Sequence, residues 1–302
     1  MKRLQAASLI TAIKTPYDSK GDICLQTYDA LIEQQIAAGV DGIIVGGTTG
    51  EGQLLTWEEH LILIAHCVHK FSDKLIIIGN TGSNNTREAI KATQNGFAVG
   101  MDASLQINPY YGRSSLAGVS EHLKRVLDIG PAFIYNVPGR TGQDLTPEVI
   151  EPLAKHPNFV GVKECAGNER IAHYEKQGIA CWSGNDDESY LGRHQFGSHG
   201  VISVTSNIVP GLMRTLMDSQ NAELNDSLQA LMNWLFCEPN PIAINTALMM
   251  TEAIKPNFRL PYKALTLEQR QQGLALLKAI NTSDLVGDAL SLLADDDFNY
   301  CA

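Results

Sequence analysis

The sequence predicts an α/β fold: a (β/α)8 TIM barrel with a C-terminal helical appendage. Three observations carry that expectation. Eight short apolar runs, rich in β-branched residues, recur along the first part of the chain and are separated by stretches of helical periodicity. No G-x-G-x-x-G follows the first run and no G-x-x-x-x-G-K-[ST] occurs, so the competing doubly wound sheet lacks its nucleotide fingerprint. After about residue 222 the pattern becomes purely helical, punctuated by Pro239, Pro241, Pro256 and Pro261. The expected division is a catalytic barrel over 1–221 and a helical region over 222–302.

The first run, 8–13, precedes helical spacing over 25–38 that stops at Gly39. The second strand is 41–45. Thr56, with Glu59 three residues later, forms a capping box opening a helix that runs through Lys70. Strands at 74–79, 102–107 and 132–135 are followed by helices at 84–98, 114–127 and 146–155. The sixth strand, 159–163, precedes a helix near 168–176, and strands seven and eight are 180–183 and 200–203. A weakly patterned helix near 188–196 lies between the last two. Helices at 224–237, 241–253 and 266–279 complete the chain, and the Asp295-Asp296-Asp297 tail is expected to be solvated.

The 302 residues are 44% hydrophobic and 19% charged, enough for a large core and inconsistent with disorder. The net charge of −10, from 23 basic and 33 acidic residues with no basic block, argues against nucleic acid and anionic membrane as partners. A local positive pocket for a small anion remains open. The six cysteines form no C-x-x-C pair and match no zinc spacing, so no metal site is expected, and reduced thiols in a reducing compartment are. The opening Met1-Lys2-Arg3-Leu4-Gln5 suggests neither a secretory nor a transit segment, and no run approaches the length of a membrane span. A cytoplasmic location is the first expectation.

In such a barrel, chemistry sits where strands end. Lys163 lies near the end of the sixth strand, in Phe159-Val160-Gly161-Val162-Lys163-Glu164-Cys165. It reads either as a solvated lysine paired with Glu164 or as an amine kept neutral by burial and able to attack a carbonyl. Cys165 reads as a small packing residue. The second strand ends in Gly46-Gly47-Thr48-Thr49-Gly50-Glu51-Gly52, a turn or an anion cradle of hydroxyls and free amides. Asn108-Pro109-Tyr110-Tyr111 follows the fourth strand, and Tyr135-Asn136-Val137-Pro138-Gly139-Arg140-Thr141 ends the fifth. The run Ser183-Gly184-Asn185-Asp186-Asp187 lacks the later residues of a calcium loop and reads as a turn. No histidine falls at a strand end; His66 and His69 read as ordinary helix residues. One lysine, several hydroxyls and phenols and one arginine suit imine chemistry on a keto acid. The amine forms the imine, the hydroxyls relay its protons, and the arginine holds a second acid.

Gly47-Thr48-Thr49-Gly50-Glu51, Tyr135-Asn136-Val137-Pro138-Gly139-Arg140-Thr141 and Gly161-Val162-Lys163-Glu164 resemble the motifs of the dihydrodipicolinate synthase family. Its members, also called 4-hydroxy-tetrahydrodipicolinate synthases, belong to the pyruvate-dependent class I aldolase superfamily that includes N-acetylneuraminate lyase. The likeness runs from Ile10-Thr11-Ala12 to Glu238-Pro239-Asn240-Pro241. It implies condensation of pyruvate with L-aspartate 4-semialdehyde, the committed step towards diaminopimelate and lysine. It also implies no cofactor beyond the covalent pyruvate imine. On this resemblance Lys163 forms the imine, and Tyr135, Thr48 and Tyr111 relay protons, Tyr111 reaching into a neighbouring subunit. Thr49 holds the pyruvate carboxylate, Arg140 receives the semialdehyde carboxylate, and Gly184 and Ile202 line the pyruvate pocket with backbone.

The resemblance further implies a homo-oligomer, a dimer of dimers, inhibited by lysine at an interface formed by Gly52, Gln53, Trp57, His60, Asn84, Glu88 and Tyr110. Gly-Gln and Trp there resemble the lysine-sensitive plant form, as does Asn185, which lengthens the usual Gly-Asp-Asp run. A plastid stroma is therefore the second expected location. Gly139 stands where many relatives carry serine, which should loosen that loop slightly. The nearest rival reading is a sugar-acid lyase of the same superfamily, against which Arg140 argues. A non-catalytic homologue would be expected to lose Lys163, Tyr135 or Thr48.

Overall fold

The computed structural model describes all 302 residues. Eight parallel strands close into a barrel in chain order: Leu9–Ala12 (β1), Gly42–Val45 (β2), Ile76–Asn80 (β3), Ala103–Ile107 (β4), Ala132–Asn136 (β5), Phe159–Glu164 (β6), Cys181–Ser183 (β7) and Gly200–Ser203 (β8). The strands read as near-continuous apolar runs because helices cover their outer faces while side chains fill the interior. Ile10, Ile44, Ile78, Leu105, Phe133, Trp182 and Ile202 pack inside. Leu9, Ile43, Ile77 and Val201 point outward into the helical layer.

The β5–β6 register shifts between Ala132, opposite Phe159, and Phe133, opposite Gly161. This irregularity fixes which residues of β6 face the interior. Beyond it Tyr135 lies opposite Lys163 and Asn136 opposite Glu164. Lys163 therefore points in with Tyr135, and Glu164 points out.

Every predicted strand is present within two residues at each end, and the Thr56–Glu59 capping box opens the helix Trp57–Phe71. Four features differ from expectation. An N-terminal helix, Lys2–Ala6, lies at the end of the barrel opposite the strand C-termini, where Trp182 Nε1 donates to the Ala7 carbonyl at 2.7 Å. The helix of the eighth unit is Pro210–Asp218, a segment given no element above; it carries proline in its first turn. The run read as a turn at 183–187 instead opens the helix Asp186–Gln195, with Asp186 buried and accepting from the backbone amides of Val204 and Thr205. The C-terminal region is not purely helical. Besides Ala222–Trp234, Ile242–Met250 and Leu267–Lys278, it contains a short parallel pair, Asn257–Arg259 (β9) with Asn299–Cys301 (β10).

That pair ties down the tail. Phe298 and Cys301 are buried, and the otherwise solvated Asp295 accepts from buried Arg270 at 2.5 Å. Trp234, also buried, donates to the Gln269 carbonyl at 2.8 Å and joins two of the C-terminal helices. One apolar core runs from the barrel helices into this region.

Candidate active site

A cavity of about 680 Å³ opens at the C-terminal end of the barrel strands. Lys163 is on its floor, 6% exposed, with its ammonium nitrogen 4.5 Å from the centroid of the Tyr135 ring. Burial lowers the Lys163 pKa from its usual 10.5 against the opposing pull of Cys165 and Asp186, and the positive charge of Arg140 lowers it further. It makes no ion pair. The Glu164 pairing raised by the sequence is ruled out by strand alternation. The Glu164 carboxylate lies behind the barrel wall, accepting from Asn136 Nδ2 at 2.8 Å and the Ala166 amide at 2.7 Å. Burial there raises its pKa to about 7.

Burial holds the Tyr135 phenol well above its usual pKa, so it is a protonated donor adjacent to the Cys165 thiol and the Thr48 hydroxyl. Cys165, expected to be packing, lines the cavity; burial pushes its thiol up to about 11, which keeps it neutral. Gly184 also lines the cavity, and a side chain there would collide with the Cys165 sulfur and come within 3.1 Å of Lys163 Cε. Ile202 lies in the barrel core beneath the cavity rather than on its lining.

Above the lysine, the Gly46–Glu51 turn presents Thr48 and Thr49. Thr49 Oγ1 accepts from Asn240 Nδ2 at 3.0 Å, which leaves its hydroxyl hydrogen for a ligand. Arg140 reaches the cavity from a short helical turn, Pro138–Thr141. Its guanidinium donates to the Asn240 carbonyl at 3.1 Å. Asn240 thus joins the two groups expected to hold carboxylates. Its Glu-Pro-Asn-Pro setting was visible in the sequence, but no local pattern linked it to Thr49 or Arg140.

The rim of the same cavity gathers Gly52, Gln53, Trp57, His60, Asn84, Glu88 and Tyr110. Trp57 stacks on His60 at 5.5 Å and 18°. Burial lowers His60 to about 4, so its imidazole is neutral. Gly46 has φ +63°, and any side chain there would overlap the His60 ring. Ser83 donates to Glu88 at 3.1 Å, and Gln53 donates to the Tyr262 hydroxyl at 2.5 Å. Tyr111 stands apart: it has φ +68°, is 93% exposed, and is not among the residues lining this cavity.

The sequence matches the profile of the dihydrodipicolinate synthetase family over residues 5–280. It is 54% identical over 297 residues to a chloroplastic 4-hydroxy-tetrahydrodipicolinate synthase of Nicotiana tabacum, covering 98% of this chain and 83% of that one. The Arabidopsis thaliana chloroplastic enzyme 1 is also 54% identical, over 98% of this chain and 81% of its own. Among solved structures, a dihydrodipicolinate synthase of Acinetobacter baumannii complexed with pyruvate superposes with TM-score 0.86 at 35% identity, covering 90% of this chain and 98% of that one. A lysine-bound synthase of Cyanidioschyzon merolae gives TM-score 0.85 at 31% identity, over 91% and 98%. The motifs, the closed barrel and these relatives agree, and the chain belongs to the dihydrodipicolinate synthetase family.

Proposed function

We propose that this cavity condenses pyruvate with L-aspartate 4-semialdehyde through an imine on Lys163. The overall reaction is the one catalysed by 4-hydroxy-tetrahydrodipicolinate synthases, lyases of the diaminopimelate and lysine pathway, and the chain is an enzyme of that kind. The observation that carries the residue-level reading is a buried, unpaired lysine facing a protonated phenol at the floor of the cavity.

The Lys163 amine adds to the pyruvate ketone, and water leaves as the imine forms. Tyr135 and Thr48 move the protons that addition and dehydration require. Thr49 donates its hydroxyl hydrogen to the pyruvate carboxylate. Loss of a methyl proton gives the enamine, whose electron pair attacks the aldehyde carbon. Arg140 pairs with the semialdehyde carboxylate and turns that carbon towards the enamine. The substrate's own amino group then attacks the imine carbon, closes the ring and frees Lys163.

A second copy of the chain completes the relay by supplying its Tyr111, which fits the full exposure of that phenol here. Two such pairs form the proposed homotetramer. Free lysine binds at the rim, its ammonium against Glu88 and its stem against Trp57, as the lysine-bound relative makes reasonable. The chloroplast location of the plant relatives favours a plastid stroma over the cytoplasm. Borohydride reduction in the presence of pyruvate tests the imine: a covalent three-carbon adduct on Lys163 is expected, and an unlabelled Lys163 overturns the route. Saturating lysine that leaves turnover unchanged overturns the inhibitory site.

A further inference from the structure

We propose that a buried ion pair, Lys14–Glu51, is a clamp that sets the position of Thr48 and Thr49, making Glu51 a positioning residue for the reaction; this rests on the roles given above to those two threonines. Lys14 follows the end of β1, and Glu51 closes the Gly46–Glu51 turn. Their side chains are 1% and 0% exposed. Glu51 Oε1 accepts from Lys14 Nζ and also from Asn245 Nδ2, on the helix Ile242–Met250, at 2.5 Å. Neither charged residue lines the cavity, so neither touches substrate.

The backbone links the clamp to the site. The Glu51 amide donates to the Thr48 carbonyl at 3.1 Å and the Gly52 amide to the Gly47 carbonyl at 3.1 Å, so the Glu51 backbone closes the turn that presents both hydroxyls. Glu51 itself has φ +56°, a left-handed conformation that a residue with a side chain adopts only where its surroundings hold it. Its carboxylate supplies the hold. The turn also rests on β1: a side chain at Gly50 would come within 2.8 Å of the Ile13 carbonyl. Lys14 is fixed in turn by its amide, which donates to Asn207 Oδ1 at 3.0 Å.

Stability alone is a poor explanation for such a pair. Withdrawing two charges from water costs nearly what their attraction returns, and an apolar pair of similar size commonly folds as well. What an apolar pair cannot do is fix a direction, and here the direction is that of the turn carrying the two hydroxyls.

The test compares Glu51→Gln, Lys14→Met and the double variant K14M/E51Q in the full chain. It reads melting temperature, kcat and KM for pyruvate. The double variant has no stranded charge and is expected to melt within a few degrees of the parent, while kcat/KM for pyruvate falls about 10–100-fold. A double variant with parental melting temperature and with kcat and KM within twofold of the parent overturns the clamp. Should the charge variants fail to fold, Asn245→Ala removes one donor to Glu51 and leaves both charges. A threefold or larger rise in KM for pyruvate supports the clamp; unchanged kcat and KM overturn it. Borohydride trapping on the parent reports the imine separately, so failure of that chemistry and failure of the clamp are distinguishable.

Discussion

The floor and the rim of the cavity are built on opposite terms. On the floor, Lys163, Tyr135 and Cys165 are enclosed by barrel strands and held before any substrate arrives. At the rim, Trp57 and Tyr110 are 42% and 39% exposed, and Tyr111, outside the cavity, is 93% exposed. Low local dielectric on the floor shifts ionisation; the rim leaves aromatic surface in contact with solvent. Floor substitutions should therefore strike chemistry directly, and rim substitutions should act through assembly and regulation.

The largest expected effect is Lys163→Met, which should lower turnover by about 10³-fold or more and abolish borohydride labelling. It should also raise stability at pH 7 by about 0.5–2 kcal/mol, read by denaturant unfolding. The sign follows from the lowered pKa. The unfolded chain holds the Lys163 proton more tightly than the folded one, so the parent loses stability as pH falls below 10.5. The gain on substitution should accordingly shrink as the pH rises towards that value. The same depressed pKa predicts an acid limb in kcat/KM, with the rate rising as the amine deprotonates. A pH–rate profile flat through the acid range would break this picture.

Tyr135→Phe comes next, with a loss of about 10²–10⁴-fold in kcat. Tyr111→Phe should approach it, although the residue is remote from its own chain's cavity. Mixing Y111F with K163M sharpens the comparison, because each inactive chain carries what the other lacks. Random pairing should recover roughly a quarter of parental activity. No recovery on mixing would remove Tyr111 from a partner's site. Arg140→Ala should raise KM for the semialdehyde about 10–100-fold while affecting pyruvate less, as initial-rate kinetics on both substrates would establish. Smallest is Glu88→Gln, expected to weaken lysine inhibition about tenfold in a dose–response assay.

The barrel was legible because its strands are compact, largely apolar runs with both faces buried. The cavity lining was legible as residue types at strand ends, once motif order joined Thr48, Tyr135, Arg140 and Lys163. Their depth was not: no property of 159–165 alone distinguishes a solvated Lys163 from a buried one, and β-sheet registry with Tyr135 decides it. Contacts across the chain escaped reading altogether. Asn240 reaches Thr49 and Asn245 reaches Glu51 over nearly 200 positions, and Tyr262 meets Gln53 over more. The β9–β10 pair was missed for a related reason, since three-residue strands separated by forty positions carry no periodicity.

The three tryptophans are an optical instrument already installed in the protein. Trp182, fully enclosed at the closed end of the barrel, should emit at short wavelength and resist iodide quenching. Trp234, locked between C-terminal helices, should behave similarly. Trp57 alone is substantially open to solvent, and it stands in the rim stacked on His60, in the cavity that Glu88 also lines. The quenchable, red-shifted share of the fluorescence is thus a direct readout of whatever covers the rim. A titration with lysine should alter that share and leave the other two signals unchanged.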